Sequence, residues 1–307
     1  HAFGHRAFYL AAVRDDTCVG ILPLVRVNSI LAGTLLVSLP YAIYGGVLAD
    51  DDATADALLV EARSIARQIG ARNIDLRSQR AAFPDLPHID RYVTFKRNLP
   101  ETADAALAWL PRKARAAARN ARDKFNLTVR FDDDQLPTVY RLYAAGMRRL
   151  ASLNYPYRFF EQLIARSPGQ HLVSVVYHQD RPVAGLLSFI HRDTVLPYFV
   201  GATPDANTYS AFNFIYLTLA QRAVELGLTQ FDFGRSRLDN AGCCRFKQLQ
   251  GFTSTPLQYQ CDPQPGNQLP DLTPSNPKFR LARKIWPLMP QSVTTRLGAW
   301  LSKHIPG

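Results

Sequence analysis

The chain has 307 residues, 47% of them hydrophobic, and a formal net charge of +11. That length and apolar content exclude a disordered or collagenous polymer and suit a globular protein of two domains. Its four cysteines, Cys18, Cys243, Cys244 and Cys261, form no C-x-x-C pair, which reads against structural zinc and a disulfide framework and for a reducing, cytoplasmic setting.

The opening at His1 reads as a truncated N-terminus, with native sequence expected ahead of it. Phe8–Val13 and Val19–Val27 are strand-like, with Asp15-Asp16 as the hairpin turn between them. The uncharged run Val27–Ala49 is long enough to span a bilayer, but Gly33, Pro40 and Gly45-Gly46 divide it into two short buried strands and a turn. A helix is expected from Asp51 to Ile69, where Ala55, Leu58, Leu59, Ala62, Ile65 and Ala66 recur at three- and four-residue steps and Gly70 ends the pattern. Strands at Asn73–Leu76 and Arg91–Phe95 complete a first α/β unit over residues 1–100.

A second unit is expected over 101–262. It opens with a basic helix in residues 111–125, six basic groups against Asp123, whose Arg112, Arg115, Arg119 and Arg122 fall on one face as an anion-binding stripe; a solvated face is the alternative. Helices at Leu136–Leu153 and Arg158–Ala165 precede strands at Leu172–His178, Pro182–His191 and Val195–Val200. A long helix, Ser210–Leu226, leads to the strand Gln230–Phe233, and Pro256–Gln260 closes the sheet. This order resembles that of a GNAT acyltransferase, and two such units make an α/β tandem of the α+β type with central mixed sheets. Residues 263–307 read as a basic helical tail.

Several motifs fail on mechanism. His191-Arg192-Asp193 and Asp232-Phe233-Gly234 spell kinase signatures, but Tyr198 stands where a magnesium ligand belongs and no Gly-rich loop precedes them. Gly234-Arg235-Ser236-Arg237-Leu238 lacks the second glycine of a nucleophile elbow, and Walker A, G-x-G-x-x-G and H-E-x-x-H are absent, so no metal site is expected.

Leu22-Pro23-Leu24-Val25, Ser38-Leu39-Pro40-Tyr41, Tyr44-Gly45-Gly46, Phe231-Asp232-Phe233-Gly234-Arg235-Ser236, and Arg245-Phe246-Lys247 with Gly251-Phe252 together resemble the FemAB-type transferases, in particular the branch associated with PEP-CTERM exopolysaccharide systems. The resemblance covers roughly residues 6–262. It implies tandem GNAT-like domains that move an acyl or aminoacyl group onto an amine of a cell-envelope, exopolysaccharide or peptidoglycan-related precursor. No bound cofactor is implied; the donor co-substrate would be an acyl-CoA, an acyl-carrier protein or an aminoacyl-tRNA. Gly201-Ala202-Thr203-Pro204-Asp205-Ala206-Asn207 stands where a CoA-dependent member carries Q/R-x-x-G-x-G/A, and no heptad insertion offers a tRNA-gripping arm.

Acyl transfer needs reactants held together, a stabilised oxyanion and a route for the amine proton. The resemblance makes Lys247 the charge offered to an oxyanion or phosphate. Asp232 would orient or deprotonate the acceptor, with an Arg235 ion pair as the structural alternative. Tyr198 would protonate the leaving group, or else pack in the core. Arg235, Ser236 and Phe246 complete a substrate clamp. Tyr209 and Asn213 lie by a helix start suited to a donor phosphate, and Tyr41, Tyr44, Gly45 and Gly46 would form an acceptor wall. In residues 277–307 the six basic groups, beside Trp286, Leu297, Trp300 and Leu301, suit an anionic membrane surface, or packing on the domain. The expected location is therefore cytoplasmic, at the inner face of the membrane. The competing function is a non-catalytic GNAT-fold module that binds an anionic glycan or lipid; specific nucleic-acid binding lacks any reading motif.

Overall fold

A computed structural model describes residues 2–267 and 280–306. The chain divides into two units, one of residues 1–92, 256–282 and 299–307, the other of 93–255 and 283–298.

The first unit begins with the hairpin β1 (Arg6–Arg14) and β2 (Thr17–Ser29). Asp15 and Asp16 both adopt positive φ (48° and 59°), the double left-handed turn that short polar side chains tolerate and that matches strand twist. Then come β3 (Gly33–Val37), β4 (Leu48–Ala49), α1 (Asp52–Gln68) and β5 (Asn73–Leu76). Asp51 caps α1 by accepting from the Thr54 amide at 2.7 Å, and Gly70 leaves it at φ 62°. The apolar stripe of α1 packs Leu58, Ala62 and Ile65 on Leu22, Leu24, Leu36, Ile74 and Leu76 of the sheet. β3 and β5 run parallel, paired from Leu35↔Asn73 to Val37↔Asp75.

The second unit holds β6 (Tyr92–Asn98), α2 (Ala106–Trp109), α3 (Arg112–Asp123), β7 (Thr128–Phe131), α4 (Leu136–Arg149), α5 (Tyr157–Ala165), β8 (His171–His178), β9 (Arg181–His191) and β10 (Thr194–Ala202). α6 (Ala211–Glu225), β11 (Gln230–Asp232), β12 (Ser236–Arg237), α7 (Ala241–Leu249) and β13 (Thr253–Pro256) follow. Its sheet runs β12-β6-β11-β10-β9-β8-β7, with β13 beside β6. Ile215, Leu219 and Ala223 of α6 pack on Phe95, Val183, Val195 and Phe231, while α4 covers Val173, Val175 and Leu187. β10 meets α4 at Gly201, where a Cβ would stand 2.1 Å from the Tyr143 amide nitrogen.

Two strands exchange sheets relative to expectation. Residues 92–98 belong to the second sheet, because Val93 and Phe95 enter its core and β6 pairs with β11. The last strand, β14 (Gln260–Pro263), joins β5 in the first sheet, anchored by the Gln260 side chain accepting from the Ala82 and Phe83 amides at 3.0 and 3.2 Å. The boundaries at 100 and 262 therefore give way to 92 and 255. His191-Arg192-Asp193 is a hairpin turn with Arg192 at φ 53°, and Asp193 ties it to Thr229. Val27–Ala49 is β2, β3 and β4 with loops, and among the described residues no helix is long and apolar enough to cross a membrane.

The tail is not separate. The basic helical tail consists, among the described residues, of α8 (Arg280–Ile285), a 3-10 turn at Trp286–Leu288 and α9 (Gln291–Ser302), and its Lys278 lies outside the described residues. In the second unit Arg148 donates to the Pro287 carbonyl at 2.8 Å and Asn154 to that of Thr295 at 3.0 Å. In the first, the Tyr41 hydroxyl donates to the Ser302 carbonyl at 3.3 Å and its amide to Pro306 at 3.0 Å.

Candidate active site

The second sheet opens along one seam. β10 and β11 are parallel neighbours at only two positions, Thr194↔Gln230 and Val195↔Phe231, while β10 continues to Ala202 paired with β9 alone. Tyr198 is the extra residue in that pairing: Pro197 faces Ser188 and Phe199 faces Leu187, so Tyr198 is a bulge. Its half-buried ring packs edge-on to Phe189 (5.5 Å between centroids) and beside Phe199 (5.0 Å). β11 ends at Asp232, and Gly234 (φ 64°) turns the chain into β12 at the open end of the seam.

Asp232 is 1% exposed and fully engaged. Its Oδ1 accepts from the Thr94 hydroxyl at 3.0 Å and the Gly234 amide at 2.7 Å, and its Oδ2 lies 3.4 Å from Lys96 Nζ. Lys96 is the partner that the sequence reading missed, since pairing it with Asp232 requires β6 to sit in the second sheet. Two residues of β6 facing one carboxylate, Thr94 and Lys96, carried that signal in their alternation.

Lys247 differs from expectation more. It is 6% exposed, its Nζ donates to the carbonyls of Phe233 (2.9 Å) and Gly234 (3.0 Å), and it sits 5.3 Å above the Phe95 ring and 5.6 Å from that of Phe233. Burial pulls its pKa down, opposed by the charges of Cys243 and Asp232. A free cation reaching out to an oxyanion is replaced by a buried clamp that fixes the strand-to-loop turn. Nor does the side chain lie on the surface. Phe246 supplies core contacts, 5.8 Å from Tyr216 and edge-on to Phe233. Ser236 is buried with its Oγ 3.5 Å from Cys243 Sγ, and Arg235 is half-buried in the turn.

The start of α6 does not form an anion cradle of the usual kind. The amides of Ala206, Thr208, Ser210 and Ala211 are consumed by the carbonyls of Thr203, Asp205, Asn207 and Ala206. Pro204 has no amide hydrogen, Asp205 adds a carboxylate 3.1 Å from Arg181, and Ser210 occupies the left-handed region without capping the helix. These residues do not fit the pyrophosphate of CoA held by free loop amides. Tyr209 stacks on His178 (4.3 Å) and meets Phe125 edge-on, and Asn213 is half-buried in the first turn of α6.

The arginine stripe is largely committed elsewhere. Arg115 closes α2 by donating to the carbonyls of Ala108 (2.8 Å) and Leu110 (3.0 Å), and Arg122 pairs with Asp123 at 2.6 Å on the surface, where Arg112 and Arg119 are exposed as well. Ala114, Ala118 and Ala121 form the buried face opposite. Tyr41, Tyr44, Gly45 and Gly46 belong to the first unit. There Tyr41 is 9% exposed, stacked on Phe3 (4.2 Å) and bonded to His5 at 2.8 Å, while Gly46 lies so close to Ser78 that a Cβ would fall 1.7 Å from its Oγ. Among the described residues no cluster of three or more metal-ligating side chains is found.

Residues 93–248, which hold every strand of the opened sheet except β13 and make up just over half of the chain, match the model of the acetyltransferase (GNAT) domain. The chain belongs to the GNAT acetyltransferase family. It is a transferase of that class by family, and the two-sheet α/β architecture agrees with tandem GNAT proteins. Solved structures share the fold at low identity. FemX matches at a TM-score of 0.64 and 15% identity, covering 91% of both chains. A tandem GNAT protein from the clavulanic acid biosynthesis pathway matches at 0.55 and 13%, covering 86% of this chain and 85% of the other. The C-terminal domain of a putative lysylphosphatidylglycerol synthetase from Agrobacterium fabrum matches at 0.53 and 12%, covering 82% and 83%. No curated protein matches the sequence.

Proposed function

We propose that this GNAT protein is a FemAB-type acyltransferase, of class EC 2.3, that moves an acyl or aminoacyl group onto an amine of a cell-envelope, peptidoglycan-related or exopolysaccharide precursor. The observation that carries the reading is the parting of β10 from β11 beyond Val195↔Phe231, with a bulge at Tyr198. Main-chain donors of β10 that point away from β9 are available there for a carbonyl oxygen, beside the turn that Asp232 and Lys247 hold rigid. In this reading Asp232 and Lys247 are positioning residues, Tyr198 supplies a phenol at the seam, and Arg235 meets the acceptor.

The loop before α6 argues for a donor without a CoA pyrophosphate, and hence for an acyl-carrier protein or an aminoacyl-tRNA. Support for an envelope acceptor comes from the FemAB-like motifs and from likeness in fold to FemX and a lysylphosphatidylglycerol synthetase. Exposed Ile285, Leu288, Val293 and Leu297 beside Arg283, Lys284 and Arg296 suit an anionic membrane surface at the inner face of the membrane. A glycan- or lipid-binding module without turnover is the second reading, favoured by the burial of Lys247.

The test is product formation, followed by mass spectrometry, from an acyl-CoA, an acyl-carrier-protein thioester and an aminoacyl-tRNA, each with an amine-bearing muropeptide precursor. Transfer from either of the last two, outpacing the acyl-CoA, is expected. Binding of the precursor with no product from any donor contradicts the transferase and selects the module.

A further inference from the structure

We propose that the outer edge of β1 is where two copies of this chain associate, joining their first sheets in antiparallel register about Ala11. The contact lies in the first unit alone and is independent of the acyltransferase reading.

The two sheets repeat one order of strands. β1, β2 and β3 form an antiparallel meander, α1 crosses over, and β5 lies parallel to β3; β8, β9, β10, α6 and β11 do the same. β1 therefore corresponds to β8. In the second sheet the outer edge of β8 is closed by β7, antiparallel from Thr128↔Tyr177 to Phe131↔Ser174. In the first, β1 is the terminal strand, and among the described residues no strand pairs with its outer edge.

That edge presents a row of main-chain donors and acceptors nine residues long. It carries none of the usual devices that keep such edges apart. β1 has no Lys and no Pro, and the one irregularity of the hairpin, between Ala12↔Gly20 and Val13↔Cys18, is an extra residue on β2. Phe8, Leu10 and Ala12 pack toward α1, while Tyr9 (79% exposed), Ala11 and Val13 (64%) lie open on the other face.

The second observation is the charge along this edge. Exposed Arg6 stands at one end and the exposed Asp15-Asp16 turn at the other, while Arg14 is drawn back onto Asp51 (3.1 Å) and Thr54 (3.2 Å). A parallel copy would set like charges together, whereas an antiparallel copy sets Arg6 near the partner's acidic turn at both ends. Outward main-chain groups and side-chain faces both alternate along a strand, so an antiparallel pair must be centred on a residue, not between two. Centring on Leu10 would put Arg6 opposite the partner's Arg14. Centring on Ala11 brings Arg6 to the partner's Asp16, Tyr9 opposite the partner's Val13 and Leu10 opposite the partner's Ala12. An aromatic residue facing a β-branched one is a favourable cross-strand pair, and centres further along the strand shorten the ladder. The contact is self-complementary and closes as a two-fold dimer.

The experiment follows the mass of the full chain by sedimentation velocity from low to high micromolar concentration, with amide exchange on the same samples. A concentration-dependent dimer is expected, with residues 7–13 protected as it forms. Ala11→Lys, at an exposed position, should weaken the dimer at least about tenfold, because two ammonium groups then meet at the axis. In a Cys18→Ser background, Ala11→Cys should give a disulfide-linked dimer under mild oxidation and Leu10→Cys should not, since only residue 11 faces itself. A chain that stays monomeric at high micromolar concentration overturns the proposal, whether residues 7–13 exchange freely or are protected by a strand of the same chain. A dimer that Ala11→Lys leaves intact also overturns it and puts the contact on another surface. Crosslinking through Leu10 in preference to Ala11 overturns the register.

Discussion

The two units build the same local plan, a strand, a crossover helix and a parallel neighbour, and finish it differently. In the first, β3 and β5 stay paired to Val37↔Asp75 and the seam is then closed: the Ser38 amide donates to Asp75 at 2.8 Å, Ser38 Oγ accepts from the Arg77 amide at 2.8 Å, and the Gly45 amide donates to the Arg77 carbonyl at 3.0 Å. In the second, the register between β10 and β11 ends after two residues and the turn beyond β11 is held from behind by Lys247. A sheet that parts between parallel strands exposes main-chain donors and acceptors, which a ligand can take up. A sheet laced together at the same place has spent them. The contrast argues that chemistry belongs to the second unit.

The largest expected effect falls where β10 is pressed against α4. Gly201→Ala places a Cβ 2.1 Å from the Tyr143 amide nitrogen and 2.3 Å from the Leu142 carbonyl carbon, backbone atoms that cannot step aside. A loss of about 3 kcal/mol or more in urea unfolding is expected, with transfer lost as the seam distorts. The matching change in the first unit is Gly46→Ala, whose Cβ meets Ser78 Oγ at 1.7 Å and Ser78 Cα at 2.9 Å. A loss of about 1–3 kcal/mol is expected there, partly recovered by adding Ser78→Gly.

Lys247→Met comes next. It leaves the Phe233 and Gly234 carbonyls without their donor, for about 1–3 kcal/mol in thermal or urea unfolding. A lysine that merely sat on the surface would give almost no change on the same measurement.

The smallest effects are in the first unit and concern titration. Hydrogen bonds from Thr54 and then Arg14 hold the Asp51 carboxyl at about 2, below its ordinary 3.8. Being depressed in the folded chain, it contributes stability present above pH 3.8 and lost as pH falls toward about 2. Acid unfolding curves of Asp51→Asn should be flatter than wild type in that window. Burial pushes the Cys261 thiol up to about 11, so at mildly alkaline pH it should resist iodoacetamide while exposed Cys18 reacts, until the chain is unfolded.

Elements fixed by neighbours in sequence were legible in advance. The Asp15-Asp16 turn, the helix read at Asp51–Ile69 and found at Asp52–Gln68, and the helix read at Ser210–Leu226 and found at Ala211–Glu225 follow from turn chemistry and apolar period. What remained hidden depends on partners distant in the chain. The sheet that receives β6 and the one that receives β14 are set by which core takes Phe95 and by the Gln260 bonds to residues 82 and 83, and no local pattern records either. Lys247 was found as a residue and misjudged as a group, because a lysine's stem and ammonium look the same in sequence whether the carbonyls that bind it are present or not. Arg115 shows the same limit: its position on the stripe was right, and its bonds to the end of α2 were invisible.

Amide hydrogen exchange on the full chain, with and without whichever donor supports turnover, tests the comparison most directly. The account predicts slowed exchange at residues 196–202 and 232–236, the two sides of the open seam, with residues 38–46 of the first unit unchanged. Protection confined to residues 38–46 would place the donor on the laced sheet and contradict it.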